Sequence, residues 1–380
     1  NDGSYYETQN YAITESHEPG STFKLVDLIA VLDDKKADTS TVYNSNGGEV
    51  QYYGRRVRDS HKGGYGKISL ARGFEVSSNT VLVQSVYNSY KDNPKQFVDR
   101  INSYGLNKPL GLPIKGEGVP VIPQPGTNRW SGVALPWMAF GYGLSVTPLQ
   151  TLTLYNAVAN DGVMVKPIFV SEIKEWNKTI KKFDTQVINP KICSQETLDK
   201  VQAVLENVVK RGTGSKLYSK DFSMAGKTGT AQVNYKDKSK LYYASSFVGY
   251  FPADEPKYSC IIVVHKPNVA AGYYGADVAG PVFKRIAQKI FTDSPSTNHV
   301  KNIDAKVVSQ EKSYAEYYKK VEKEERIVPN VKGMEGMDAV ALLENLGLKV
   351  KVIGVGRVKK QSLTSGQAFN KNQTIIIELS

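Results

Sequence analysis

Residues 21–32 constrain the fold more than any other stretch of this sequence. Leu25, Val26, Leu28, Ile29, Val31 and Leu32 place apolar side chains nearly all the way round a helix, and a helix patterned in that way belongs inside a core. The chain can supply one, since 380 residues correspond to two or three domains. Up to about residue 291, helical and strand patterns mix without a repeated βαβ unit, which predicts an α+β domain rather than a doubly wound one. Thr147-Pro148 caps a helix over 149–158, closed by Asn160-Asp161-Gly162, and Ser194 caps an amphipathic helix ending near Gly212. Segments 224–233, 243–251 and 258–265 are separated by turn-prone stretches and read as an antiparallel meander, against which a helix over 280–291 packs.

This large domain is expected to span residues 1–292. Residues 292–300 are rich in Ser, Pro, Asp, Thr and Asn, and 309–326 carry Glu and Lys at helical spacing, so 293–325 reads as a linker with a charged helix. A separate small α/β module follows over 326–380. In it Val328-Pro329-Asn330-Val331 leads into a helix over 337–346 and strands over 348–353, 357–363 and 374–379, a βαβββ-like order.

Charge and cysteine content exclude several functions. The formal net charge is +12, but the Lys and Arg residues are scattered and interleaved with acids, which predicts solubility and a general attraction to anionic surfaces rather than a nucleic-acid partner. Cys193 and Cys260 lie far apart with no CxxC and no nearby His pair, so neither a zinc site nor a disulfide scaffold is indicated. No metal or cofactor is called for. No stretch approaches the ~18 apolar residues needed to cross a bilayer, and the polar run over 1–10 reads as the start of a piece lacking its natural N-terminal part.

Chemistry enters at Ser21-Thr22-Phe23-Lys24, preceded by Glu18-Pro19-Gly20. Proline and glycine set up an abrupt loop-to-helix turn, and Ser21 and Lys24 then share a helical face. Burial depresses the lysine pKa, so its amine can take the serine proton, and the helix N-terminus favours the developing negative charge. The spacing alone is weak, because Ser171-Glu172-Ile173-Lys174 and Ser309-Gln310-Glu311-Lys312 share it. The first lies in a strand-like segment, where i and i+3 face opposite ways. The second lies in the charged connector, with nothing to tune its lysine. Two further motifs add weight. Ser77-Ser78-Asn79 offers a hydroxyl to relay a proton and an amide to bond a peptide, although Ser296-Thr297-Asn298 shows how easily the spacing arises. Lys227-Thr228-Gly229-Thr230 occurs once, early in a strand, where Lys227 supplies charge for a carboxylate and Gly229 lets a substrate backbone approach. An edge strand there could pair with an extended peptide.

Together, in this order, the three motifs are the signature set of penicillin-binding proteins and serine β-lactamases. With their flanks, and with Gly141-Tyr142-Gly143-Leu144-Ser145-Val146-Thr147-Pro148-Leu149-Gln150, the chain resembles class B penicillin-binding proteins, especially the division-specific FtsI type. The resemblance implies a penicilloyl-serine transferase fold, with an antiparallel five-stranded sheet between helical layers. It also implies that Ser21 attacks the D-Ala-D-Ala carbonyl of a stem peptide, with Lys24 as base and Ser77 relaying the proton. Asn79 would hold the peptide amide, Lys227 and Thr228 the terminal carboxylate, and the backbone N–H groups of Ser21 and Thr230 the oxyanion. β-Lactams would acylate Ser21. Residues 326–380 resemble a PASTA domain, in which no catalytic site is expected. Other implied features are an anchor in the cytoplasmic membrane, an extracytoplasmic location and partners among cell-division and wall-synthesis proteins.

Several residues are set aside. Residues 62–67 are glycine-rich, but no Gly-Lys-Ser or Gly-Lys-Thr opens a helix after them. His17 lies near Ser21 in sequence without a Gly-x-Ser-x-Gly elbow. Trp130, Trp137, Phe140 and Tyr142 read as core or rim aromatics. The rival functions are a D,D-carboxypeptidase, a β-lactamase, or a penicillin-binding fold kept as a scaffold or sensor.

Overall fold

A computed structural model describes residues 9–176, 178–235, 237, 239–270, 272–293 and 326–380. By its contacts the chain divides into two units, Asn1–Pro295 and Ser296–Ser380. Apart from Asp293, the expected linker and charged helix over 293–325 lie outside the described residues, as do the spare motif copies at Ser296 and Ser309.

In the first unit the all-round apolar helix is α1 (Lys24–Asp33), entered through a 3-10 turn over Gly20–Phe23. Every residue from Lys24 through Leu32 is buried. Packed on α1 are α2 (Asn79–Tyr90) and α4 (Gln195–Arg211), while α3 (Pro148–Ala159) lies against α4 and the sheet. The sheet is the meander β1 (Ala225–Val233), β2 (Tyr242–Phe251) and β3 (Tyr258–His265), paired antiparallel in the order β3-β2-β1. Alternation along β2 divides the core into two layers. Val248 and Tyr250 face the cluster built on α1, whereas Phe247 and Phe251 face α5 (Gly280–Asp293), their rings 4.7 and 5.6 Å from that of Phe283. Each such fully buried aromatic contributes roughly 1.5–3 kcal/mol.

The central sheet differs from expectation among the described residues: it has three strands there, not five. No other extended segment of those residues runs beside β3: Tyr11–Thr14 is helical, and His17 forms an isolated bridge with Val146 instead.

Helix α3 starts where the sequence predicts. The Thr147 hydroxyl accepts from Gln150 N at 3.2 Å, and the Gln150 side-chain oxygen accepts from Thr147 N at 2.9 Å. Both residues are buried, so no water replaces a lost bond. Thr147→Ala is therefore expected to lower stability by about 1–2 kcal/mol, read as a fall in Tm, with Ser substitution largely retaining it.

The second unit holds α6 (Gly336–Asn345) and a sheet of β4 (Lys349–Ile353), β5 (Val358–Gln361) and β6 (Thr374–Leu379) in the order β4-β6-β5. Strand β4 runs parallel to β6 and β5 antiparallel to it. Val328, Val331, Ala339, Leu342, Leu343, Leu348, Ile375 and Ile377 form its core. The expected first strand is reduced to an isolated bridge between Ile327 and Ala368, since Pro329 has no N–H with which to extend a ladder.

Candidate active site

The turn that presents Ser21 depends on two glycines. Gly20 has φ +58°, and its N–H donates to Gly141 O at 3.1 Å. Gly141 has φ +81°, and a Cβ there would stand 2.6 Å from the Gly20 carbonyl carbon and 2.8 Å from its Cα. The turn is further tied by the Thr22 hydroxyl donating to Pro19 O and the Tyr155 hydroxyl donating to Thr22 O, each at 2.9 Å. Ser21 itself stays half-buried.

Behind it the three motifs converge. Lys24 Nζ donates to Ser77 O at 2.8 Å, Ser77 Oγ at 3.2 Å and Asn79 Oδ1 at 2.6 Å. Lys227 Nζ donates to Ser77 Oγ at 2.8 Å and Thr228 O at 3.2 Å. One hydroxyl thus joins two lysines that are both fully buried. Ser77 adopts φ +58°, a conformation uncommon outside glycine that turns its side chain towards both ammonium heads. Next along, Ser78 caps α2, accepting from Val81 N, and its hydroxyl donates to Asp59, which also accepts from the Thr80 backbone and hydroxyl. Asn79 is fixed from both ends, since its Nδ2 donates to Arg58 O at 2.7 Å.

Burial sets the protonation of this network. Desolvation, partly opposed by Asp59 and Asp27, lowers the Lys24 pKa from 10.5 to about 7. Lys227 is pushed well below the usual lysine range, first by burial and then by the charge of Lys24. The three donors of a charged Lys24 all go to Ser77 and Asn79, none to Ser21. A neutral Lys24 keeps two of those bonds and has a lone pair free to accept the Ser21 proton.

Strand β1 is the sheet edge beside this turn. Gln232 N–H donates to the Tyr142 hydroxyl at 2.9 Å, so the backbone at that position points away from β2. Alternation then turns the Thr230 N–H, two residues back, to the same outer side, towards Ser21. Gly229 also serves the packing of the protein itself. A Cβ there would meet the Ser246 hydroxyl and stand 2.9 Å from Thr22 Cγ2, so glycine lets the Ser21 turn itself approach the strand. On the opposite face the Thr228 hydroxyl bonds that of Thr213 at 2.7 Å, and the Thr230 hydroxyl accepts from Gly275 N at 3.0 Å. These put two small hydroxyls along β1 on that face.

Lys24, Ser77, Asn79 and Lys227 are therefore joined in one hydrogen-bonded network, and the turn that carries Ser21 packs against the strand that carries Thr228, Gly229 and Thr230. His17 and Ser171 stay apart from this network. His17 is tied into backbone bridging with Val146, its ring 5.9 Å from that of His265, and Ser171 precedes a hairpin strand, Glu172–Glu175. Sequence reasoning missed Thr213, Asp59 and Tyr142 as contributors. Only Thr213 carries a local signal, its place between Gly212 and Gly214 at the end of α4. Tyr142 offers its hydroxyl oxygen as an acceptor at the β1 edge, and its ring meets edge-on that of Tyr235, whose hydroxyl donates to Glu18 at 3.1 Å.

Comparison with known proteins identifies the family. The family described as penicillin binding protein transpeptidase domain matches residues 1–288, and the PASTA domain family matches 326–380. Stage V sporulation protein D of Bacillus subtilis is 30% identical over 379 residues, which is 98% of this chain and 55% of that protein. Peptidoglycan D,D-transpeptidase FtsI of Escherichia coli is 29% identical over 280 residues, 73% of this chain and 44% of the other. The chain thus spans about half the length of these relatives. The apo crystal structure of penicillin binding protein 3 from Mycobacterium tuberculosis superposes with a TM-score of 0.66 at 28% identity, covering 76% of this chain and 65% of that one.

Proposed function

Because the chain belongs to the penicillin-binding protein transpeptidase family and ends in a PASTA domain, we propose that it is a peptidoglycan D,D-transpeptidase working through an acyl-enzyme on Ser21. The observation that carries this reading is the pair of buried lysines joined through Ser77 Oγ behind the Ser21 turn. Neutral Lys24 takes the hydroxyl proton as Ser21 Oγ bonds to the carbonyl carbon of the penultimate D-alanine. The N–H groups of Ser21 and Thr230 hold the oxyanion. As the C–N bond breaks, the proton passes through the Ser77 hydroxyl to the leaving D-alanine, whose carboxylate rests against Lys227, Thr228 and Thr230. Asn79 has one Nδ2 donor left after Arg58 O, and it orients the peptide carbonyl. An amine from a neighbouring stem peptide then attacks the ester and completes the crosslink.

A β-lactam presents the same carbonyl to Ser21. A related protein, penicillin binding protein 3 of Mycobacterium tuberculosis, was crystallised with aztreonam and with ampicillin, which supports β-lactams as ligands here. Since peptidoglycan lies outside the cytoplasmic membrane, the reading places this domain on its outer face, anchored in the full-length protein. The relatives named FtsI support a role in septal wall synthesis. The sporulation protein, whose match continues through the C-terminal unit, supports a wall-building role in spore formation as the second reading.

Intact-mass measurement over hours with a β-lactam tests the assignment. Wild-type protein is expected to gain the mass of one drug molecule and keep it, and Ser21→Ala to gain none. Rapid turnover of the drug would point to a β-lactamase instead. No adduct on folded wild-type protein would leave only the scaffold reading.

A further inference from the structure

The helix that carries Lys24 holds a second ionisable group that the proton transfer just described does not use. Asp27 lies one turn further along α1, so it shares a side of the helix with Lys24. It is fully buried, and neither of its carboxyl oxygens has a hydrogen-bond partner among the described residues. A carboxyl in that position is strongly unfavourable for the fold. Tyr155 of α3, which lies within range of the Asp27 charge, gives its hydroxyl to Thr22 O instead.

The charges that face Lys24 come from three elements. Asp27 is on its own helix, Asp59 precedes α2, and Lys227 reaches in from β1 to share Ser77 Oγ with it. Both Asp59 oxygens already accept bonds, from Ser78 and Thr80. When Lys24 takes the Ser21 proton, a new ammonium therefore forms beside a second buried lysine, and Asp27 is the adjoining carboxyl with no other bond to keep.

We propose that Asp27 is a positioning residue for acylation: its carboxylate is the counter-charge of the Lys24 ammonium formed when Ser21 gives up its proton. This rests on the Ser21 and Lys24 roles proposed above. The transferred proton goes from Ser21 Oγ to Lys24 Nζ and onward through Ser77. Burial drives both side chains towards their neutral forms, and the charge of each pulls the other back.

The test is the pH profile of acylation by a chromogenic cephalosporin, measured for wild type, Asp27→Asn and Asp27→Leu with adduct mass and Tm alongside. Without the carboxylate Lys24 loses protons more readily and is a weaker base. The acidic limb is then expected to move down by about half to one pH unit, and the high-pH plateau to fall about 3- to 10-fold. The Leu variant is expected to keep or raise Tm, because an apolar group of similar size replaces an unpartnered acid. A purely structural residue would change Tm and leave the limb in place, so an unmoved limb overturns the proposal. Should the Leu variant not fold, the near-isosteric Asn variant decides alone. If wild-type protein forms no adduct, the Ser21 reading fails and takes this proposal with it, whereas an adduct with an unmoved limb removes this proposal only.

Discussion

Lys24→Met is expected to cut acylation of Ser21 by a β-lactam about a thousand-fold while leaving the protein folded. Positioned general bases typically contribute 10²–10⁴-fold, and no other basic group is placed on the Ser21 turn. Methionine fills most of the space of the lysine stem, so the change removes the amine with little disturbance of packing. A stopped-flow or mass-resolved time course with excess drug measures the rate. Retention of more than a tenth of it would contradict Lys24 as base. The wild-type rate should itself fall as pH drops below about 7, where Lys24 becomes protonated, and the Met variant should lack that limb.

The same substitution has a stability signature with a definite sign. In the unfolded chain the Lys24 proton is held up to about pH 10.5, whereas the folded protein releases it near pH 7. Between those values the unfolded state binds more protons, so stability rises with pH across the window. Lys227 is lowered in the same direction and contributes likewise. Denaturant titrations from pH 6.5 to 10 should show the rise in wild type and a clearly smaller one in Lys24→Met.

The second large effect is expected at Gly141. Alanine there is disfavoured by φ +81°, and its Cβ would press on the backbone of Gly20, which has no flexible end to give way. Destabilisation of roughly 2–4 kcal/mol is expected. Because the strain falls on the residue before Ser21, acylation should drop about a hundred-fold in the molecules that remain folded. Gly143→Ala provides the control. It has a similar φ of +71°, but its nearest neighbour would be Trp137 Cβ at 3.8 Å. It should show the backbone cost of about 1–2 kcal/mol without the collision. Equal losses in the two variants, by Tm and by adduct rate, would mean that contact with Gly20 is not what fixes the turn.

Much of the proposed catalytic set was legible because its chemistry demands side chains of fixed type. A nucleophile and its base one helical turn apart, a hydroxyl relay followed by an amide, and a lysine opening a strand leave short patterns whose order survives without coordinates. The meander and the capped helices were readable for a related reason: alternation, caps and turn residues act over a few neighbours. Asp27 left a signal too, as an acid inside the otherwise apolar run over 25–32, though the helix was read for its apolar residues alone.

What the sequence determined by itself was therefore local: which segments are helix or strand, which helix is interior, and which residues are candidates for catalysis. Tertiary structure alone decided that one Ser77 hydroxyl joins Lys24 to Lys227 across 53 and 150 residues. It also assigned Gly229 to the approach of the Ser21 turn, put Thr213 beside Thr228, and left the sheet with three strands among the described residues. The reason is physical. Local patterns follow from steric and hydrogen-bonding rules within a few residues, whereas distances between remote segments, and the burial that lowers a lysine to about 7, arise only once the whole core has closed around them.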